Sequence, residues 1–272
     1  MYTIRVMTFN IRGFFHAQDG VNVWDNRAEL NVKTIKRYAP DLIGFQELQS
    51  GNLETYQDQL PDYEYILGPK TNNEEPYNYN AIFWHSSQFE LIDSGGFWLS
   101  KTPDRNSLDW GAKYIRAATW VKLRYAKTRA DFLHVNTHLD HISELARVEG
   151  SRVIIQKMSQ LQANSFPLIL TGDFNCNPWS PVYSIFMESG FVDTYLTVGH
   201  ENSEASNTHH AFEGERYSAS GWRLDFWRID WILTRDSVQS IRTKSCLIVR
   251  DQEPPLYPSD HYPVFSELML GY

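Results

Sequence analysis

The stretch that decides the fold is Pro167-Leu168-Ile169-Leu170-Thr171-Gly172-Asp173-Phe174-Asn175. Its apolar part predicts a short buried strand. The strand ends on a carboxylate and an amide two positions apart, and alternation along an extended chain would put both side chains on one side. There they could hold a hard cation or contact a phosphate. Asp and Asn also open turns through local backbone hydrogen bonds, so the stretch by itself leaves both interpretations open.

Polar side chains also lie at or near the ends of other apolar segments of the chain. They are Asn10, Glu47, His138, Asp230 and the pair Asp260-His261. Glu and His are poor turn formers, and buried charges need partners or a metal. These positions therefore predict one shared polar site at the ends of several strands.

Bulk composition narrows the class of protein. The 272 residues suit one large domain, and no linker, repeat or low-complexity tract divides them, which predicts a single domain over 1–272. A formal net charge of −8 argues against a protein that tracks along duplex nucleic acid. Two cysteines, Cys176 and Cys246, cannot build a disulfide framework or a thiolate zinc site. With neither a signal peptide nor a long apolar span in the sequence, a cytoplasmic location is expected.

Strand-like segments outnumber helical ones along the chain. Helices are predicted over 25–38, 52–60, 143–164 and 180–188, and Gly95-Gly96 is predicted to mark a turn. The remaining apolar segments alternate or run continuously, as strands do. This series predicts an α/β fold, a four-layer α/β/β/α sandwich of two packed mixed sheets.

Six short motifs, in the family's order and spread over nearly the whole chain, resemble those of the endonuclease/exonuclease/phosphatase superfamily. They are Thr8-Phe9-Asn10-Ile11-Arg12, Gly44-Phe45-Gln46-Glu47, Asn136-Thr137-His138-Leu139-Asp140-His141, Thr171-Gly172-Asp173-Phe174-Asn175, Arg228-Ile229-Asp230-Trp231-Ile232 and Ser259-Asp260-His261-Tyr262-Pro263-Val264. The resemblance implies a deoxyribonuclease I-like fold and hydrolysis of phosphoester bonds. Trp24-Asp25-Asn26-Arg27 adds a likeness to a bacterial subgroup of unassigned substrate.

The resemblance also implies a divalent cation, Mg²⁺ or Mn²⁺. Glu47 is the expected principal ligand, with Asn10 and Asp260 nearby. Mg²⁺ prefers oxygen ligands and uses one or two carboxylates, and these residues meet that preference.

By the same resemblance, His261 lies over the phosphate and is paired with Asp230, which would fix its tautomer and raise its basicity. Asp173 is the rival group for activating the attacking water, and the sequence leaves the choice of base open. Asn175 and His138 are expected to contact phosphate oxygens or that water.

The remaining expected contacts lie on the substrate side. Arg116 offers a planar, permanently charged fork that suits phosphate. Thr208 is a further expected phosphate contact, and Trp179 and Trp227 could stack on a base or cover a sugar. His209 follows Thr208 where the family often has an aromatic residue, so the shape of the local pocket is open.

The sequence predicts a metal-dependent phosphodiesterase or nuclease that acts on nucleotides or on the ends of single-stranded nucleic acid. A phosphatase on a sugar, inositol or lipid headgroup phosphate is the alternative. A catalytically silent binding module is a third reading, disfavoured because Glu47, Asp173, Asp230 and His261 are all retained. The sequence leaves the number of metals and the oligomeric state open.

Overall fold

The structure is a computed structural model that describes residues 2–161, 166–217, 228–236 and 240–271. Its strands are β1 Tyr2–Asn10, β2 Leu42–Gln46, β3 Tyr63–Ile66, β4 Ile82–His85, β5 Phe89–Trp98, β6 Ala117–Tyr125, β7 Asp131–His138, β8 Leu168–Asp173, β9 Val192–Asp193, β10 Asp230–Arg235, β11 Ile241–Ile248 and β12 Val264–Leu270. Its α-helices are α1 Trp24–Tyr38, α2 Ser50–Gln59, α3 Glu144–Gln160, α4 Pro181–Glu188 and α5 Thr194–Thr197.

The strands form two six-stranded mixed sheets. The first has the order β11-β12-β1-β2-β4-β3, and the second has the order β5-β6-β7-β8-β10-β9. In the first sheet β1 runs parallel to β2 and antiparallel to β12. In the second sheet β8 runs parallel to β7 and antiparallel to β10. Each sheet therefore has two parallel central strands beside an antiparallel one.

Three apolar clusters separate four layers. Ile4, Phe132 and Ile169 belong to the cluster that unites side chains of both sheets. Ile35 of α1 and Tyr56 of α2 join the outer face of the first sheet, and Ile154 of α3 and Phe186 of α4 join the outer face of the second. The predicted four-layer α/β/β/α sandwich is confirmed, because an apolar face on each side of each sheet must be buried against another element.

A buried amide, Asn136 on β7, ties the two sheets together. Its Nδ2 donates to the carbonyls of Phe45 and Ala81 in the first sheet's half of the fold, at 2.7 and 3.0 Å. Its Oδ1 accepts from Gln46 Nε2 at 2.7 Å and from the Thr171 hydroxyl at 3.1 Å. Every atom of this amide is buried, so each bond is needed to offset its desolvation.

The close approach at this point requires a glycine. A Cβ on Gly44 of β2 would lie 2.2 Å from Thr171 Oγ1 and 2.6 Å from Asn136 Oδ1. Real Cβ contacts do not reach such distances, so a side chain at this position would push the sheets apart. Gly44 therefore sets the spacing between the sheets directly beneath the strand ends that carry the site.

Most predicted elements are observed, with differences at two places. The predicted turn at Gly95-Gly96 is wrong, because both residues lie within β5 and pair with Trp120 and Thr119. A Cβ on Gly96 would lie 2.3 Å from Cδ of Pro69, so close packing explains these glycines. The short elements β9 and α5 were not predicted. The predicted helix 143–164 is described only to 161, since 162–165 lie outside the described residues.

Candidate active site

The polar strand ends meet at one edge of the two sheets. β1, β2, β7 and β8 end there, and β10 begins there because it runs antiparallel to β8. Asp173 of the second sheet lies at the centre of this junction. Its Oδ2 accepts from Asn10 Nδ2 at 3.0 Å, and it lies 3.4 Å from His138 Nε2 and 3.9 Å from His261 Nε2. The structure thus brings together groups that are up to 251 positions apart in the chain (Asn10 to His261).

The other oxygen of Asp173 supports the turn after β8. Asp173 Oδ1 accepts from the backbone N–H of Asn175 at 2.9 Å, and Asn175 has a φ of 50°, in the left-handed region. The expectation that alternation aligns the two side chains is therefore wrong, since the strand ends at Asp173. The side-chain amide of Asn175 donates to the Leu139 carbonyl at 2.9 Å. One oxygen of the Asp173 carboxylate therefore stabilises the turn, and the other faces the polar junction.

His261 is held by Asp230. The His261 Nδ1 lies 2.9 Å from Asp230 Oδ2, and both side chains are buried. Burial opposes a proton on this ring, but the Asp230 carboxylate outweighs burial and raises the pKa of His261 to about 10. Because Nδ1 faces Asp230, Nε2 carries the second N–H and points toward Asp173.

Thr208 holds Asp230 rather than the substrate. Its hydroxyl accepts from the backbone N–H groups of Ile229 and Asp230 at 3.0 and 3.1 Å, and the residue is fully buried. A contact between this hydroxyl and a substrate phosphate would need an accessible side chain. The expected phosphate contact is accordingly replaced by a positioning role at the start of β10.

Burial shifts the pKa values of Asp173 and His138 in opposite directions. Burial and the Asp230 charge raise the pKa of Asp173 to about 7. Burial and the Arg116 charge lower the pKa of His138 well below its usual range, so that ring is neutral at physiological pH. A carboxylate with a raised pKa beside a neutral donor suits proton transfer near neutrality.

Glu47, Asn10 and Asp260 line the side of the junction that the first sheet contributes. Asn10 Nδ2 donates to Glu47 Oε1 at 3.1 Å as well as to Asp173, and the Glu47 side chain is 25% exposed. Burial would raise the pKa of the Asp260 carboxyl, but His261 and Arg12 outweigh burial and hold it well below its usual range. Arg12 Nε lies 3.6 Å from Asp260 Oδ2.

The donor set fits a hard divalent cation. Glu47 and Asp260 supply ionisable oxygens, and Asn10 supplies an amide. Among the described residues, the tight His/Cys/Asp/Glu groups are His209–Asp260–His261 and Asp173–Asp230–His261, neither of which contains Glu47. Both groups share His261, whose Nδ1 is already bound to Asp230. Glu47, with its side chain 25% exposed, is a carboxylate of this donor set that solvent can reach.

Arg116 and Trp179 are expected substrate contacts that lie within the described residues. Arg116 precedes β6 with its side chain 11% exposed, and its Nη2 lies 3.1 Å from His141 Nδ1. Trp179 is 58% exposed just before α4. Trp227 lies outside the described residues.

Arg27, for which the sequence indicates no role, has a clear structural one. It is fully buried and donates to five backbone carbonyls. The acceptors belong to Ile11, Arg12, Gly13, Asn22 and Pro258. Arg27 therefore joins the loop that carries Arg12 to the segment that leads into Asp260. Its sequence signal is its place in Trp24-Asp25-Asn26-Arg27, at the start of a predicted helix.

Two further findings concern groups outside the junction. Burial raises the pKa of the Cys176 thiol to about 12, which makes it a poor nucleophile. Within the described ranges, the helices include none with the length and apolar character needed to cross a membrane.

Comparisons with known proteins agree with this geometry. The model of the endonuclease/exonuclease/phosphatase family matches residues 7–261. A family protein from Bacteroides vulgatus is 30% identical, with 100% of each chain covered and a TM-score of 0.87. The mannosyl-6-phosphatase of Bacteroides thetaiotaomicron is 29% identical, with 98% of this chain and 100% of that chain covered and a TM-score of 0.86.

A curated relative is less similar to this chain. Nocturnin from Drosophila melanogaster is 24% identical over 95% of this chain, but the match spans only 44% of nocturnin's own length. The family match, the sandwich and the junction of Asn10, Glu47, Asp173, Asp230 and His261 lead to one conclusion. The chain belongs to the endonuclease/exonuclease/phosphatase family, whose members are metal-dependent hydrolases of phosphoester bonds.

Proposed function

We propose that the protein hydrolyses a phosphoester bond at the junction of its two sheets, with a divalent cation bound there. The observation that carries this proposal is the position of Asp173 Oδ2. It faces Asn10 from the first sheet, His138 from its own sheet and His261 from the segment before β12. Buried ionisable groups arranged in this way, with displaced pKa values, are typical of catalytic sites.

Asp173 is the proposed acceptor of the proton from the attacking water. The water oxygen forms a bond to phosphorus as the bond from phosphorus to the leaving oxygen breaks, and the leaving oxygen takes a proton from solvent. A carboxylate with a pKa near the working pH combines a deprotonated fraction with useful basicity. Asp173 is preferred to His261 as the base because Asp230 keeps His261 protonated.

His261 and His138 are the proposed donors to the non-bridging oxygens. His261 presents Nε2–H with a full positive charge, and His138 presents a neutral ring. Negative charge builds on those oxygens in the transition state, and donors already in place stabilise it without reorganisation. Asn175 remains a proposed contact for the water or a phosphate oxygen, with its backbone fixed by Asp173.

Glu47, Asn10 and Asp260 are the proposed holders of the cation. When bound, Mg²⁺ or Mn²⁺ would supply positive charge for the phosphate and the leaving oxygen. Asn10 also spaces Glu47 from Asp173 by donating to both, which keeps the metal carboxylate apart from the base.

We propose a small phosphomonoester of the sugar phosphate type as the substrate. The mannosyl-6-phosphatase matches this chain over nearly the full length of both proteins. The formal charge of −8 also fits a small substrate drawn to a local metal charge better than a long polyanion.

A nucleotide or a short single-stranded nucleic acid is the second candidate substrate. Nocturnin and a probable RNA exonuclease of Saccharomyces cerevisiae are similar to this chain, at 24% and 23% identity. The exposed ring of Trp179 could stack on a base.

One set of assays tests the reaction and separates the substrates. Turnover with Mn²⁺ or Mg²⁺ is measured on hexose 6-phosphates, p-nitrophenyl phosphate, its bis ester and short single-stranded RNA. Faster cleavage of monoesters supports the first candidate, and faster cleavage of RNA supports the second. Glu47→Gln should lower kcat/KM by about 100-fold or more, since the cation loses its principal carboxylate.

Glu90→Gln is the matched control, because Glu90 pairs with Arg129 on an exposed strand. It should retain wild-type kcat/KM. Wild-type turnover by Glu47→Gln, or turnover that survives EDTA, would refute the proposed metal site.

A further inference from the structure

A second cluster of polar groups lies beside the catalytic junction, around Arg116. Arg116 precedes β6, and β6 pairs antiparallel with β7, with Ala118 opposite Thr137. This register puts Arg116 at the same edge as His138, the last residue of β7. His141 follows three residues later, so the Arg116–His141 contact lies within a few residues of the reacting centre in both strands.

Asp140 does not neutralise Arg116 through a short ion pair. Its Oδ2 lies 3.8 Å from Arg116 Nε, and that N–H is buried without a hydrogen-bond partner among the described residues. The Asp140 carboxylate accepts instead from four backbone amides, those of Lys113, Tyr114, Ile142 and Ser143. The Asp140 carboxylate is thus bound mainly by backbone amides of the loop. The Arg116 guanidinium therefore remains available to an anion.

The contact between Arg116 and His141 fixes the tautomer of the histidine. Arg116 Nη2 can only donate, so His141 Nδ1 must be the acceptor and the ring proton lies on Nε2. Burial and the Arg116 charge also lower the pKa of His141, which favours the neutral ring. His141 therefore offers a neutral N–H donor on the side away from Arg116.

An exposed aromatic ring completes this cluster. Tyr114 stacks on His141 with ring centroids 5.4 Å apart and an interplanar angle of 26°. It is 46% exposed, and the Arg116 guanidinium carbon lies 5.8 Å from its ring centroid. A cation, a neutral donor and an aromatic face therefore occur side by side.

We propose that Tyr114, Arg116 and His141 form a subsite for the sugar ring of a phosphorylated sugar. The inference rests on the proposed function, and it assigns the chemistry of the group that carries the phosphate. Arg116 binds the phosphate, His141 Nε2–H donates to a ring hydroxyl, and the Tyr114 ring covers the apolar face of the sugar. A hexose phosphate and the ribose of a nucleotide share this chemistry.

The experiment compares substrates with and without a sugar. The value of kcat/KM is measured with Mn²⁺ for mannose 6-phosphate, adenosine 5′-monophosphate and p-nitrophenyl phosphate. The ratio of each sugar substrate to p-nitrophenyl phosphate reports the subsite, because a general loss of chemistry cancels. Tyr114→Ala and His141→Phe should each lower the ratio about tenfold, mainly through KM, as expected for one lost contact.

Glu90→Gln is the control, since Glu90 is exposed and pairs with Arg129 rather than with this cluster; its ratio should stay within about twofold of wild type. A lower ratio for either sugar substrate supports the subsite. If the ratio falls for only one of the two, that substrate identifies the type of sugar that binds. Ratios that stay constant in Tyr114→Ala and His141→Phe overturn it.

A binding measurement separates this inference from the proposed reaction. The Kd of mannose 6-phosphate and of adenosine 5′-monophosphate is measured by calorimetry in EDTA, where no turnover is expected. If wild type hydrolyses none of the three compounds, the proposed phosphomonoester substrate fails. A Kd that weakens about tenfold in Tyr114→Ala and His141→Phe still supports the subsite, and an unchanged or undetectable Kd overturns it.

Discussion

His134, on β7 between the sheets, gives the structure its clearest pH-dependent prediction. The ring is fully buried, and its Nε2 lies 2.9 Å from the Thr171 hydroxyl. Its Nδ1 is buried without a hydrogen-bond partner among the described residues. A proton added to Nδ1 would therefore find no acceptor, and burial lowers the pKa of His134 to about 3.

The sign of the effect follows from proton binding. The unfolded chain has an ordinary histidine pKa of about 6.5, so below that pH the unfolded state binds a proton that the folded state refuses. The stability due to the neutral ring is complete above pH 6.5 and is lost as the pH falls toward 3. At pH 5 the interval of about 1.5 pH units corresponds to about 2 kcal/mol.

This magnitude depends little on the folded-state pKa, because pH 5 lies well above it. The assay is urea unfolding of wild type and His134→Gln at pH 8 and at pH 5. Gln can still donate to Thr171 but cannot titrate. The variant should lose about 2 kcal/mol less than wild type between the two pH values, whatever its stability at pH 8.

Val135→Ala is the matched control for general destabilisation, since Val135 is a buried neighbour on the same strand. It should lower stability equally at both pH values. Burial lowers the pKa of His134, and no charged group among the described residues adds to that shift. Equal losses in wild type and His134→Gln, within about 0.5 kcal/mol, would refute the reasoning.

Three further outcomes are expected. Asp230→Asn should lower kcat about 100-fold and move the alkaline limb of the pH–rate profile to lower pH, because burial then lowers the pKa of His261; a change under threefold would contradict this. Arg27→Lys should destabilise the protein by about 3 kcal/mol in urea unfolding, since Lys cannot serve five carbonyls; a loss under about 0.5 kcal/mol would count against that role. Gly44→Ala should cost about 2 kcal/mol or more by the same assay, whereas Gly150→Ala, whose added Cβ meets nothing nearer than 3.4 Å, should not destabilise; equal effects would refute the sheet-spacing argument.

Much of the fold could be predicted from local patterns. The strand predicted over 167–173 and the helices predicted over 25–38 and 180–188 begin within a residue of the observed starts. These elements carry their own signals in periodicity and caps, such as Ser180 before α4, whose hydroxyl accepts from the N–H of Tyr183. The turn predicted at the two glycines of β5 is wrong because these glycines are needed for close packing against Pro69 and Trp120. Both of those residues are distant in sequence, so local patterns do not show the contact.

The sequence by itself determined the identity and order of the polar strand ends, since each lies next to an apolar segment that must be a strand. Tertiary structure alone decided their roles. It divided Asp173 between a turn and the site, buried Thr208 behind Asp230, and turned His141 toward Arg116. The physical reason is that a hydrogen bond or a pKa depends on distance and burial, and these are set by the packing of two sheets.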